Sequence, residues 1–300
     1  MDSNEDSSDQ GDSDRVKPYI VMPTTAHTHT IILLHGIGSN GEEFGQNFLE
    51  KGRTKGGKTL PEILPGARFV FPTAQHRQWR EFDRKMLNQW FDIARVEDPS
   101  YRHEVQLQGL AESAVEIGDL LRHEIAQVPA RQIVLGGVSM GCAMSLSILL
   151  SLQFPLGGFI GMSGYLPFQL EIEDAIVGDD EDDDGDDNPL AVAKDEDAGP
   201  SDRAVRALDF ERGLLDTEHL HGATTDQTAV STPVFLGHGD ADDKKPYVLG
   251  EGAVRAMRMA GYNVDWKLYL GLGYWDKILE EIDDIVTFIS EKVGWEMAVT

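Results

Sequence analysis

Ile133-Val134-Leu135-Gly136-Gly137-Val138-Ser139-Met140-Gly141-Cys142-Ala143 is the stretch whose reading decides the fold. Its short apolar, β-branched opening suits a buried strand, and the strand runs into paired glycines. Ser139 stands between Gly137 and Gly141, and an apolar helical pattern begins at Cys142 and continues through Leu146, Leu149 and Leu150. This is G-x-S-x-G in a strand–turn–helix context, the arrangement that raises a serine on a sharp bend. With no Cβ at Gly137 or Gly141, strand and helix can meet closely enough to hold Ser139 in a strained, exposed position. The helix behind it aims its N-terminal amides at charge forming on a substrate. The stretch reads as a nucleophile elbow, against the plainer alternative of a glycine-rich βα turn with an incidental serine.

Upstream, Ile31-Ile32-Leu33-Leu34 is another buried strand, followed by the glycine-rich loop His35-Gly36-Ile37-Gly38-Ser39-Asn40-Gly41. Loops at the C-terminal end of a parallel sheet are where ligands bind. An oxyanion hole takes one amide from the residue after the nucleophile and one from an early βα loop, which assigns Met140 and Ile37. Phe69-Val70-Phe71 is a strand stopped by Pro72, and residues 75–95 form a long connection rich in aromatic residues, among them Trp90 and Phe91. That cluster fits the lining of an apolar channel and the underside of a packed loop equally well. Apolar residues at helical spacing from Leu107 to Ile125 lead into the Ile133 strand, completing a βαβ crossover. Downstream, strands at 158–162, 234–236 and 264–269 alternate with helical patterns at 253–260 and 278–293. The alternation predicts an α/β fold with a mostly parallel, doubly wound sheet and helices on both faces.

The net charge of −26 is mostly local. Residues 1–14 carry six acids and no base, and residues 171–202 carry fifteen acids and only Lys194, so these stretches hold −20 of the total. The rest has no basic stripe to neutralise phosphates, which argues against nucleic-acid binding. We expect an acidic disordered tail and lead-in over residues 1–30. One α/β domain over 31–300 follows, interrupted by a disordered acidic insertion at about 171–203. Within the insertion Asp180, Asp182, Asp184 and Gly185 have the spacing that starts a calcium loop, but the twelfth position is Ala191 rather than glutamate. The sequence leaves open whether the insertion also contacts a basic partner. Cys142, the single cysteine, excludes an intrachain disulfide. The N-terminus lacks a signal-like apolar stretch and no apolar run is long enough to span a membrane, so a cytoplasmic protein is expected.

Taken together, these motifs resemble the acyl-protein thioesterases of the phospholipase/carboxylesterase family, which have the α/β-hydrolase fold. The resemblance runs from about Ile31 to Trp295. Its carriers are His35-Gly36-Ile37-Gly38, Phe71-Pro72, Gln89-Trp90-Phe91-Asp92-Ile93 and the Ser139 elbow, then Ser163-Gly164-Tyr165-Leu166-Pro167 and His238-Gly239-Asp240-Ala241-Asp242 with Pro246. It implies hydrolysis of carboxylic esters or thioesters through an acyl-enzyme, with no metal or organic cofactor. Ser139 then matches the nucleophile, Asp242 the triad acid in preference to Asp240 and Asp243, and Ile37 and Met140 the oxyanion-hole amides. Trp90 and Phe91 fall where family members line the acyl-binding cleft. The family usually has glutamine after the nucleophile; Met140 changes the polarity there but keeps the amide.

The departure is the histidine. Fold order is Ser, Asp, His, yet none of the nine histidines follows Asp242. The family's G-x-x-H loop aligns with Gly271-Leu272-Gly273-Tyr274, which puts Tyr274 where the base belongs. A phenol with a pKa near 10 is a poor base at neutral pH, and His219 or His221 would have to swing in to replace it. Two functions follow. One is a serine esterase or thioesterase of reduced or atypical activity, acting on a lipidated protein, a lysophospholipid or a small ester, with transfer of the acyl group to another acceptor as a variant. The other is a degenerate hydrolase that binds an acylated ligand or partner without turnover.

Overall fold

The computed structural model describes residues 16–79, 85–178, 200–217, 223–273 and 278–298. Its strands are β1 (Tyr19–Val21), β2 (His29–Leu34), β3 (Ala67–Phe71), β4 (His76–Trp79), β5 (Lys85–Asn88), β6 (Ile133–Val138), β7 (Gly158–Met162), β8 (Val234–Gly239) and β9 (Val264–Tyr269). The helices are α1 (Gly41–Lys51), α2 (Leu60–Ile63), α3 (Leu107–Ile125), α4 (Met140–Ser151), α5 (Gln169–Val177), α6 (Pro200–Leu214), α7 (Tyr247–Met259) and α8 (Ile278–Phe288).

Seven strands form one sheet in the order β1-β3-β2-β6-β7-β8-β9, while β4 and β5 pair as a separate hairpin. Only the β1–β3 pairing in the large sheet is antiparallel. The apolar runs are continuous because both faces of the sheet are covered. On one face α3, α4, α6 and α7 pack over Leu135, Phe159 and Leu236. On the other, α1 and α8 pack over Leu33, Val134 and Phe235 through Phe44, Phe48, Ile282, Ile285 and Phe288. The winding reverses between β2 and β6: β3 lies on one side of β2 and β6 on the other. The crevice outside the carboxyl ends of strands at such a switch point is the natural ligand site of an open α/β sheet. The His35 loop and Ser139 both leave the sheet there.

The expected boundaries shift in three places. Residues 171–177, counted within the acidic insertion, are the second part of α5, where Ile172 and Ile176 are buried one helical turn apart. Residues 200–203, likewise assigned to it, open α6. In the lead-in, Tyr19–Val21 pairs with β3 as the sheet edge. The calcium-like spacing at 180–191 lies outside the described residues.

Candidate active site

β6 is buried along its whole length, and it turns directly into α4, which is buried on all sides. That helix has no polar face to turn to water: Met-Gly-Cys-Ala-Met-Ser-Leu-Ser-Ile-Leu-Leu-Ser is apolar or small throughout, as a central helix must be. Ser139 sits at the junction with φ 53° and ψ −118°, a backbone that a non-glycine residue adopts only when its surroundings force it. The flanking glycines are what permit it. A Cβ on Gly137 would lie 2.6 Å from the Leu34 carbonyl oxygen, and one on Gly141 only 2.2 Å from the same atom and 2.5 Å from that of His35. These are main-chain atoms of β2 and its loop, unable to step aside. Gly141→Ala is therefore expected to lower the unfolding free energy by about 3 kcal/mol in urea titration. A change below about 0.5 kcal/mol would show that α4 can retreat from β2.

The strain expected of Ser139 is present, but the exposure is not: the residue is 4% exposed. Its N–H donates to the Met162 carbonyl of β7 at 2.9 Å, and its own carbonyl accepts from Ala143 at 3.0 Å, so the bend is drawn down between β7 and α4.

The two assigned oxyanion amides flank the same crevice. Met140 is the first residue of α4, where helix geometry supplies no acceptor for its N–H. Ile37 lies in the loop after β2, and among the described residues neither amide has an acceptor. That loop is held rigidly. The Ala74 N–H donates to His35 Nε2 at 3.0 Å, which leaves Nδ1 as the protonated nitrogen, donating to the Gly36 carbonyl at 2.7 Å. Burial pushes His35 down to about 4, the bond to Gly36 opposing only in part, so the ring is a neutral structural pin. The Gly38 N–H donates to the Asn88 carbonyl at 2.8 Å, and the Asn88 side chain returns a 2.9 Å bond to the Ser39 carbonyl.

Trp90 and Phe91 take up a different position from an open cleft wall: both are 0% exposed. The Trp90 indole N–H donates to the His35 carbonyl at 2.8 Å, so this side chain braces the loop that follows β2. Trp90 also borders a cavity of about 670 Å³ with a mixed lining, in which Pro72, Ile117 and Leu120 stand beside Lys17, Glu116 and Asp119. Phe91 is packed beneath α3 at the point where Gly109 approaches its main chain. Aromatic content alone could not separate bracing from lining.

Three carboxylates follow β8 and do three different things. Asp240 is a brace: its Oδ1 accepts from the Gly271 N–H at 2.6 Å, fixing the start of the loop that leads to Tyr274. Asp243 is exposed beside Lys244. Asp242 is 7% exposed, with Oδ1 accepting from the main-chain amides of Lys244 (2.8 Å) and Lys245 (2.9 Å). Its Oδ2 is buried and has no hydrogen-bond partner among the described residues. Burial opposes ionisation here, but the His238 side chain and the two amides outweigh it and hold the carboxyl below its usual range. Asp242 is thus a fixed carboxylate whose second oxygen makes no close hydrogen bond among the described residues and faces His238.

His238 lies beside that oxygen, its Nε2 3.6 Å from Oδ2 and both side chains sealed from solvent. It is not placed as the base. Nε2 lies 3.0 Å from the Lys245 carbonyl, and Nδ1 faces α7 at Gly250, where a Cβ would come within 2.7 Å. Tyr274, His219 and His221 fall outside the described residues. Among the described residues no group of three or more His, Cys, Asp or Glu side chains could hold a metal ion, and no helix is long and apolar enough to cross a membrane.

A parallel sheet whose central strand turns through a strained serine into a buried helix, with a buried carboxylate after a later strand, is the architecture of the α/β-hydrolases. The phospholipase/carboxylesterase family model matches residues 16–178. Acyl-protein thioesterase 1 of Yarrowia lipolytica is 30% identical over 283 residues, covering 92% of this chain and 97% of that protein. The Neurospora crassa protein of the same name is 27% identical over 281 residues, covering 92% of each. Among solved structures, Zea mays acyl-protein thioesterase 2 superposes with a TM-score of 0.64 at 24% identity, over 93% of this chain and 99% of that one, a likeness of fold. The chain belongs to the phospholipase/carboxylesterase family.

Proposed function

We propose that the protein hydrolyses a carboxylic ester or thioester through an acyl-Ser139 intermediate, at a rate limited by Tyr274 standing where the triad histidine belongs. The observation that carries this reading is the strained Ser139 bend at the head of α4, built at the cost of two glycines that tolerate no Cβ. Strain of this kind persists where the surrounding structure enforces it, and it clusters at reacting centres.

In the proposed reaction Ser139 Oγ attacks the acyl carbon, its proton passing to solvent water in the absence of an imidazole, and the charge forming on the carbonyl oxygen is met by the N–H groups of Ile37 and Met140. The C–O or C–S bond then breaks and the leaving group departs as alkoxide or thiolate; water next attacks the acyl carbon, the acyl–Oγ bond breaks, and Oγ takes back a proton from solvent as the acid is released. Without an imidazole, proton delivery to the leaving group is weak. A thiolate, whose conjugate acid has a pKa of about 8.5, leaves unprotonated far more readily than an alkoxide. Leaving-group chemistry therefore favours thioesters over oxyesters in this reading. The relatives named acyl-protein thioesterase point the same way and suggest an acylated protein as substrate.

A second reading, binding of an acylated ligand without turnover, is favoured by the absence of any histidine after Asp242. One experiment separates them. A fluorophosphonate probe is expected to label the wild-type chain and leave Ser139→Ala unlabelled, with acyl-thioester turnover lost in parallel. No labelling, and no turnover above the Ser139→Ala control, would leave the binding reading in its place.

A further inference from the structure

Lys245, three residues beyond Asp242, is 3% exposed. Lysine is rarely buried so fully without partners, and burying an ammonium costs more than burying an apolar chain of the same length. Its main chain is committed to the acid loop: the N–H donates to Asp242 Oδ1 at 2.9 Å, and the carbonyl lies 3.0 Å from His238 Nε2. The side chain reaches elsewhere. Nζ donates to the Val96 carbonyl and stands 4.4 Å from the centroid of the Tyr165 ring. Val96 follows Trp90 and Phe91 in sequence, while Tyr165 belongs to the loop leaving β7. One residue therefore joins three loops on the rim that carries Ser139.

We propose that Lys245 is a positioning residue for the Ser139 site: its side chain latches the Asp242 loop to the segment after Trp90 and Phe91, setting where the carboxylate and the brace of the oxyanion loop stand. This inference rests on the reading of Ser139 as a nucleophile. The latch is sensitive to pH. Burial pushes the ammonium down to about 7, with the carboxylates of Glu97 and Asp242 opposing. The other groups facing it are the Tyr165 ring, whose phenol burial keeps protonated, and the His238 imidazole on its carbonyl. Below pH 7 the charged form makes a charge-assisted bond to Val96 and a cation–π contact with Tyr165; above it, the neutral amine keeps a weaker bond and loses the second contact.

Lys245→Met keeps the chain length and removes the ammonium. Fluorophosphonate labelling of Ser139 is expected to be about tenfold slower in Lys245→Met than in wild type at pH 6, the difference shrinking towards none by pH 8.5. The ratio cancels groups that titrate equally in both proteins. A second measurement does not depend on Ser139. Amide exchange over residues 93–97, corrected for intrinsic base catalysis, should lose protection between pH 6 and pH 8.5 in wild type and be unprotected at both in Lys245→Met. A labelling ratio unchanged by pH, or exchange identical in the two proteins, overturns the latch. If wild type is not labelled at all, the nucleophile reading fails, and exchange alone decides the latch.

Discussion

Glu211→Gln is expected to raise the free energy of unfolding by about 3 kcal/mol at pH 7, with the gain growing as pH rises. Glu211 lies on α6, where Ala204, Ala207 and Leu208 form the stripe that packs on the core. Helical spacing places the glutamate in that stripe, and it is 0% exposed, its carboxyl facing the Ser147 hydroxyl without a close hydrogen bond to either oxygen among the described residues. Burial pushes its carboxyl up to about 8, the Ser147 hydroxyl on α4 working the other way. The folded chain therefore keeps a proton that the unfolded chain releases above about pH 4.5. Its stabilising share is complete below that value and is lost as pH climbs to about 8, after which the penalty is constant at about 4–5 kcal/mol. Glutamine has the same shape and no proton to lose, so the variant escapes the penalty. Urea titrations of both proteins at pH 5, 7 and 8.5 should give differences of under about 1, about 3 and about 4–5 kcal/mol. A difference that does not change with pH would mean the Glu211 carboxylate finds solvent or a cation in solution. Other buried groups titrate in both proteins and drop out of the comparison.

Glu211 also shows what a sequence conveys and what it withholds. The central strands were legible because Ile31–Leu34, Ile133–Leu135 and Val234–Leu236 are apolar on successive residues, the mark of a strand covered on both faces. The elbow was legible because only glycine survives where α4 crosses β2. The edge strand β1 was not, being three residues long just before Pro23. Nor was the β4–β5 hairpin, whose His-Arg-Gln-Trp and Lys-Met-Leu-Asn lack the alternation of a half-buried sheet. α5 was hidden by its neighbours: Glu171, Glu173 and Asp174 match the acidic run after it, and two isoleucines were too faint a signal beside so much charge. At the site, Asp242 stood out by motif, but the roles of Trp90 and Lys245 were out of reach. Trp90 bonds to a carbonyl 55 positions away and Lys245 to one 149 positions away, and no local pattern encodes such distances. Lys244 and Lys245 are identical neighbours, yet the Lys244 side chain is 64% exposed and Lys245 is enclosed.

The largest change in chemistry is expected from Tyr274→His. In this fold the base follows the acid in sequence, and Asp242 keeps one buried oxygen without a partner among the described residues, while its other oxygen is fixed by two amides. An imidazole donating Nδ1–H to that oxygen would hold Nε2 ready to take the Ser139 proton and return it to the leaving group. Loss of a triad member costs about 10⁴ to 10⁶ in kcat, or roughly 5–8 kcal/mol of transition-state stabilisation, so even a poorly seated imidazole should recover at least about tenfold in ester turnover. Oxyesters should gain more than thioesters, because the alkoxide is the leaving group that most needs a proton. The gain should also bring a pH dependence with its midpoint near or above about 6.5, raised by the carboxylate beside the ring. Adding Asp242→Asn to Tyr274→His should remove most of the gain, since the imidazole would lose the group that orients it, whereas Asp242→Asn alone should change little in a chain without a base. A flat or lower rate in Tyr274→His would show that position 274 does not face Ser139. An equal gain with Asp242→Asn present would show that the imidazole works without Asp242, and the carboxylate would then be only the anchor of its own loop.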